Sequence, residues 1–426
     1  MPESGPARVL EGPITADWLV IGAGFAGLAA ARRLSLTRSE DRIILLDASR
    51  VGEGPAGRNS GFMIDLPHDL TSESYAGNQA GDRAQIRANR AAIAFALETA
   101  RAFDLPEEAI RRTGKINGAA SKRGLTQNKK YARHLSRLGE DFALYDAETM
   151  REVTGSRYYL GGLFTPGTAM LQPAMFTRGI AAGLRSNRLQ IFENSPVTEL
   201  SREGCAWRAT TPHGRVTAPR VILAVNGHAE SFGLYRRRLV HVMLYASMTR
   251  PLTADEGKRL GGRKTWGITP ADPMGSTVRR IGGTGGDRIV VRNSITYAPG
   301  MEVSETALAR AGRAHDRSFS ERFQMLGDVE MAYRWAGRLC LSLNDAPAFG
   351  EVEEGLFSAC CQNGLGAAKG TLAGMAAADL ATGEDTAEAR FMAAQPGPRR
   401  LPPAPLAWAG ATARLKWGEF AAGAEK

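Results

Sequence analysis

An apolar run, Trp18-Leu-Val-Ile21, meets Gly22-Ala-Gly24-Phe-Ala-Gly27 and passes directly into an Ala/Leu-rich stretch at 25–34. A second apolar run at 42–47 (RIILLD) then ends on an acid. Four apolar residues closing on a glycine suit a strand buried on both faces, and the Ala/Leu stretch suits a helix. Strand, glycine turn, helix and strand together make a βαβ unit. The three glycines allow a tight turn, close approach of backbone to a pyrophosphate, and close helix–strand packing. The helix N-terminus adds N–H groups aimed at the phosphates. Asp47 lies about 20 residues beyond Gly27, where a carboxylate with Ala48 beside it can accept hydrogen bonds from adenosine ribose hydroxyls. An acid there disfavours a 2′-phosphate, which leaves NAD or FAD.

The rest of the composition narrows the class. At 426 residues the chain can form two or three folding units, or equally one large α/β body, with a large core. Its 43% apolar and 23% charged residues exclude whole-chain disorder. No uncharged apolar run approaches the roughly 20 residues that span a bilayer. Residues 1–10 lack the cationic and apolar regions of a secretory signal. Cys205, Cys340, Cys360 and Cys361 form no CxxC pair, and the six histidines show no metal-ligand spacing. This pattern predicts a reducing, cytoplasmic compartment and no metal site. The net charge of +10 admits a nucleic acid, a membrane surface or an anionic small ligand. Aromatic residues do not interleave with the basic clusters, and no nucleic-acid-binding motif is present, so nucleic acid is disfavoured.

Farther along, residues 81–103 place Ile86, Ile93, Leu97 and Ala100 at helical spacing, with Asn89-Arg90 interrupting the stripe. Residues 115–120, 190–192, 206–210 and 221–225 read as strands, and 125–138, 147–153 and 176–184 as helices. Glycines and prolines make 158–176 (YYLGGLFTPGTAMLQPAMF) read as a loop. Short apolar runs between turns over 239–295 predict an antiparallel sheet. A strand at 357–359, a glycine turn and a helix at 367–380 close the pattern. Residues 1–15 read as a flexible arm and 394–405 as a proline-rich linker or surface strap.

Several of these segments carry a family resemblance. Gly57-Arg-Asn-Ser-Gly-Phe62 follows the second strand, and Ser195-Pro-Val197 and Ala224-Val-Asn-Gly227 follow later ones. Trp335-Ala-Gly337, Asp345-Ala-Pro347 with Phe349-Gly350, and Asn363-Gly-Leu-Gly366 with Gly370 and Gly374 complete the order. Over about residues 16–385 the chain resembles the D-amino acid oxidase superfamily, in particular its sarcosine oxidase-like and γ-glutamylputrescine oxidoreductase-like branch. The resemblance implies an α/β protein with a Rossmann-like FAD-binding domain of the glutathione reductase type and an inserted, mostly antiparallel substrate domain. It assigns 16–80, 150–235 and 335–390 to the FAD domain, 81–149 and 236–334 to the substrate domain, and 391–426 to a C-terminal strap.

By the same resemblance, FAD is met by Gly22, Gly24, Phe25, Ala26, Gly27, Asp47, Ala48, Gly57, Arg58, Asn59, Ser60, Gly61, Val197, Asn226, Gly227, Asn363, Gly364, Leu365 and Gly366. Independently, Gly57 and Gly61 let the chain cross close to a planar ring, and Arg58 suits a phosphate. Gly364-Leu-Gly366 ahead of a helix aims N–H groups at the ring edge where charge gathers on reduction. Relatives can hold FAD covalently through a cysteine near Cys340, but Cys340-Leu-Ser-Leu-Asn-Asp345 departs from their pattern, which predicts non-covalent FAD and a buried strand cysteine. His68, His241, Tyr245, Arg280 and Arg292 are the substrate-pocket candidates; the histidines also read as structural or surface residues, Tyr245 as a packed core residue and the arginines as a solvated sheet face. Arg279-Arg280 or Arg292 would suit a carboxylate, sulfonate or phosphonate. The expected reaction passes a hydride from the α-carbon of a small, anionic amine or amino acid to flavin N5, with imine hydrolysis and transfer of electrons to oxygen or a carrier. No general base is singled out. A non-catalytic FAD-binding subunit or a flavin-dependent tRNA-modification partner is the alternative.

Overall fold

The computed structural model describes residues 6–67 and 79–426. Six strands form one sheet in the order Leu189–Phe192, Ile43–Leu46, Trp18–Ile21, Arg220–Leu223, Leu356–Cys360, Ala348–Glu353. The first five run parallel and the last is antiparallel. Parallel strands must be covered on both faces, and alternate side chains here enter two different cores. Trp18 and Val20 pack under the helices Phe25–Thr37 and Gly366–Thr382. Leu19 and Ile21 pack against Trp207, Ala209 and Val216 of a four-stranded sheet. The two helices cross closely because Gly374 has no side chain; a Cβ there would overlap the Ala26 carbonyl.

The second large sheet has eight strands: Met331–Leu341, Val240–Thr249, Arg288–Tyr297, Thr277–Ile281, Trp266–Pro270, Lys115–Ala119, Gly161–Thr165 and Ala143–Tyr145. All neighbours are antiparallel except Trp266–Pro270 beside Lys115–Ala119. Ile116, Ile268, Val278, Ile289 and Val291 point to one side, where Phe319 and Phe323 from the helix Glu305–Arg322 and its cap close a core. The alternating residues face the other way, toward a three-stranded sheet of Phe62–Met63, Ala169–Leu171 and Ile110–Arg112.

Two expectations need correction. Residues 158–176 hold two strands, Gly161–Thr165 and Ala169–Leu171, because the glycines serve packing: a Cβ on Gly162 would meet Ile116 and Met150 at 2.6 Å. Residues 12–15 are a strand paired with Gly214–Ala218, and Leu10 is fully buried, so the described part of the N-terminal arm is fixed. Gly161–Thr165 and Met331–Leu341 both belong to the eight-stranded sheet. The helix expected over 81–103 spans Gln79–Ala102 and runs through Asn89-Arg90, where the apolar stripe is interrupted. Asn89 donates to the Asp65 carbonyl at 3.1 Å, and Arg90 pairs with the Asp65 carboxylate.

Candidate functional site

The glycine turn is built as its composition demands. Gly22 adopts φ +102°, and a Cβ there would stand 2.6 Å from the Ala224 carbonyl oxygen. A Cβ on Gly27 would overlap the Gly22 carbonyl oxygen. The helix that follows starts at Gly24 with no side-chain cap and no acid in its first turn, so its leading N–H groups have no partner within the helix. Asp47 braces the turn: its Oδ2 accepts from Ala23 N at 2.7 Å and its Oδ1 from Ser49 N at 2.9 Å. Burial pushes the Asp47 carboxyl upward and nearby Glu193 adds to this, while the Ser49 and Ala23 donors pull it down. Ala48 is exposed beside it, and Val197 packs at the edge of the core that holds Ile21 and Leu223. Phe25 stacks on Phe176 at 6.1 Å, and Ala26 lies under Gly374.

Two distant turns join this one. Ala56 stands 3.7 Å from where a Gly24 Cβ would be, which sets the short helix Pro55–Arg58 beside the glycine turn. Asn59 shapes the next bend, accepting from Gly61 N at 2.8 Å and donating to Ala56 O at 2.6 Å. Gly57 packs on Gly52, where any Cβ would overlap the Gly52 carbonyl. The Arg58 carbonyl accepts from Trp335 Nε1 at 2.8 Å. Phe62, just past this bend, shares a cluster with Ile64, Met170 and Leu365, so residues three hundred positions apart meet. Asn363, at φ +49°, accepts from Ser342 N at 2.8 Å and donates to Ala346 O at 3.1 Å. Gly364 follows at φ +86°, and Gly366 opens a 17-residue helix with no side-chain cap and no atom within 4 Å of a notional Cβ. Asn226, at φ +51°, accepts from Cys361 N at 3.0 Å, while Gly227 lies against the His241 ring.

Arg279 stands over these turns from the eight-stranded sheet. It is 5% exposed. Its Nη1 donates to Ser60 O at 2.7 Å and Leu171 O at 3.0 Å, and its guanidinium lies 5.4 Å from the Phe62 ring centre. Among the described residues no carboxylate pairs with it, and its Nε has no partner. Burial lowers its pKa to about 10, so it remains cationic at neutral pH. Gly267, opposite Arg279, has no side chain, and the Phe62 ring and Met170 fill that place. Arg292 lies opposite Thr277 and therefore shares this face, diagonal to Arg279. A second buried cation on the face, Lys115, donates to Asn117 and to Thr269 Oγ1 at 3.2 Å. Burial lowers it to about 8, against the pull of Asp65.

The other pocket candidates lie elsewhere. Arg280 points to the opposite face, where it pairs with Asp287 at 2.6 Å and braces Arg263 O, beside a groove of about 750 Å³ lined by Arg151, Arg259 and Gly261. Tyr245 is packed with Met243 and Ala311 and shares a hydrogen bond with Thr296 at 2.7 Å. His241 pairs with Glu230 at 2.6 Å, on the Cys340 side. His68 falls outside the described residues. Cys340 is buried; a hydrogen bond with the Cys361 thiol and burial both push its own thiol strongly upward. Among the described residues no cluster of acids, histidines or cysteines could hold a metal. Sequence reasoning passed over Lys115, whose strand reads like any short strand, and chose Arg280 over Arg279 because TVRRI alternates without naming the inward arginine.

Residues 17–380 match the DAO family model, described as FAD dependent oxidoreductase. The chain is 26% identical to a probable oxidoreductase OrdL of Haemophilus influenzae, over 87% of this chain and 84% of the relative. It is 24% identical to the gamma-glutamylputrescine oxidoreductase of Escherichia coli, over 89% and 86%. The glycine oxidase structure from Geobacillus kaustophilus superposes with a TM-score of 0.72 at 16% identity, covering 88% of this chain and 96% of that one. This last likeness shows the shared fold.

Proposed function

From the premise that the chain belongs to the DAO family of FAD-dependent oxidoreductases, we propose that it oxidises the C–N bond of a small anionic amine or amino acid. The amine class also appears in the name of the Escherichia coli relative. What supports FAD binding is a cradle of three turns with uncapped helix starts at Gly24 and Gly366 and a carboxylate at Asp47. In this reading the Gly22–Gly27 turn holds the pyrophosphate, Asp47 the ribose and Val197 the adenine edge. The 57–61 bend and the Asn363–Gly366 loop then flank the ring. The chemistry that FAD supplies when bound is acceptance of a hydride from the substrate α-carbon, leaving an imine for hydrolysis.

The chain's own part is to bind, orient and dehydrate. The single observation that carries the anionic substrate is Arg279, a buried guanidinium without an acid partner among the described residues, facing the 57–61 bend. A carboxylate there would supply the missing countercharge and fix the α-carbon. Arg292 extends the positive face. The apolar wall of Phe62, Ile64, Met170 and Leu365 excludes water and favours the neutral, reactive amine. FAD is held non-covalently in this reading, because Cys340 is a free, buried strand cysteine and Cys340-Leu-Ser-Leu-Asn-Asp345 departs from the pattern of covalent relatives. Electrons pass on to oxygen or to a carrier protein. Anaerobic titration of the purified yellow protein with a panel of amines tests this reading. Bleaching by carboxylate-bearing amines supports it; bleaching only by uncharged amines, or by none, defeats it. Acid denaturation should release all the flavin into solution.

A further inference from the structure

Two features remain outside this chemistry: the net charge of +10 and the helix Ala404–Ala422. One side of that helix is seated. Gly418 lies over Met274, the Glu419 carboxylate accepts from Ile295 N at 3.1 Å and pairs with Lys426 at 2.8 Å, and Arg123 donates to Ala421 O at 2.9 Å. The other side is apolar and open. Leu406 is 66% exposed, Trp408 57%, Trp417 70% and Phe420 78%. Leu406, Gly410, Ala413, Trp417 and Phe420 follow one another at steps of three and four, which sets them on a single stripe. The Trp417 and Phe420 rings lie 6.0 Å apart at its end. A helix apolar on both sides needs a second cover.

The charges around the stripe choose the cover. Arg414 and Lys416 flank it, and Arg399-Arg400 precede it. Arg236, Arg237 and Arg238 are tied to the same end: Leu401 N donates to Arg237 O at 2.7 Å and Arg238 donates to Pro398 O at 2.8 Å. All seven cations are exposed. Between Gln395 and Lys426 the acids are Glu419, held by Lys426, and Glu425, buried against Ser121. A second copy seated across a two-fold axis near Ala413 would oppose Arg414 to Arg414 with no acid to answer it. A surface of lipid phosphates answers all seven, while aromatic rings suit the headgroup boundary. No described helix is long and apolar enough to cross a membrane, so the helix would lie in the interface plane.

We propose that the helix Ala404–Ala422, with the arginines at 236–238 and 399–400, is a docking surface for an anionic lipid bilayer. The test is flotation of the full-length, flavin-loaded protein with vesicles. The protein should float with phosphatidylcholine and phosphatidylserine in about equal parts and stay behind with phosphatidylcholine alone. Trp417→Glu with Phe420→Glu should abolish flotation. Arg414→Gln and Lys416→Gln should each weaken it by about fivefold, with steep loss in salt. Thermal midpoint and amine turnover in solution should stay as in the parent protein. The proposal is overturned by no flotation, or by flotation indifferent to these variants. A dimer in light scattering that Trp417→Glu dissociates, without vesicle binding, or salt-sensitive RNA binding in place of vesicle binding, overturns it equally.

Discussion

Replacing Arg279 with Met probes the substrate anchor. Burial holds the pKa of this guanidinium well below the usual arginine range, at about 10. At 1.36 kcal/mol per pKa unit, this is a cost of about 3 kcal/mol for holding the cation without a countercharge. The sign follows from a base depressed in the folded state: the cost is full below about pH 10 and fades only as pH rises beyond it. A carboxylate that pairs with Arg279 recovers up to that amount, equivalent to roughly two orders of magnitude in affinity. In the parent protein, a carboxylate-bearing substrate analogue should therefore raise the thermal midpoint, and its amide isostere should not. In Arg279→Met both should be silent, and kcat/KM for the anionic amine should fall roughly a hundredfold, chiefly through KM. Arg279→Lys should recover part of the loss, because one charge returns without the paired donors. Equal losses for the acid and its amide would refute the anchoring role. A loss confined to flavin content would show Arg279 serving only the 57–61 bend.

Gly27→Ala sets a Cβ onto the Gly22 carbonyl, so this variant is expected to purify without flavin, read from the ratio of visible to protein absorbance. Lys115 has its pKa lowered from 10.5 to about 8 by burial, so the charged form costs about 3 kcal/mol below pH 8, relieved as pH rises to 10.5. Lys115→Met should accordingly gain most in urea unfolding at pH 7 and least above pH 10; a gain independent of pH would contradict the assigned cause. Glu425 accepts from Ala120 N, Ser121 N and Ser121 Oγ at the start of the helix Lys122–Leu138. Glu425→Ala should cost about 1–2 kcal/mol in the same assay, with amine turnover per bound flavin unchanged.

The sequence was most legible where the chemistry is local. Gly22, Gly24, Gly27 and Asp47 sit within one βαβ unit whose strand, turn, helix and strand follow one another along the chain, and Asp47 accepts from Ala23 inside that same unit. Leu365 beside Phe62 was legible only through family resemblance, since no periodicity links positions three hundred residues apart. Faces of the long sheet were not legible: Arg279 and Arg280 are adjacent, and the partner that turns Arg280 away, Asp287, lies across a hairpin. Tyr245 looked like a pocket wall because an apolar strand residue reads the same on either face. The helix Ala404–Ala422 gave no helical signal because its apolar residues occupy both sides, which erases the 3.6-residue period. The strands within 158–176 were hidden by glycines that fit between Ile116, Met150 and Tyr145 and do not mark turns.

The central claim is that a hydride leaves the α-carbon of an anionic amine held in this site. Its most direct measurement is single-turnover reduction of the bound flavin without oxygen, comparing the best anionic amine with the same amine deuterated at the α-carbon. The account predicts bleaching by both, with the deuterated amine slower. Equal rates, or a flavin that stays oxidised with every carboxylate-bearing amine, would contradict it.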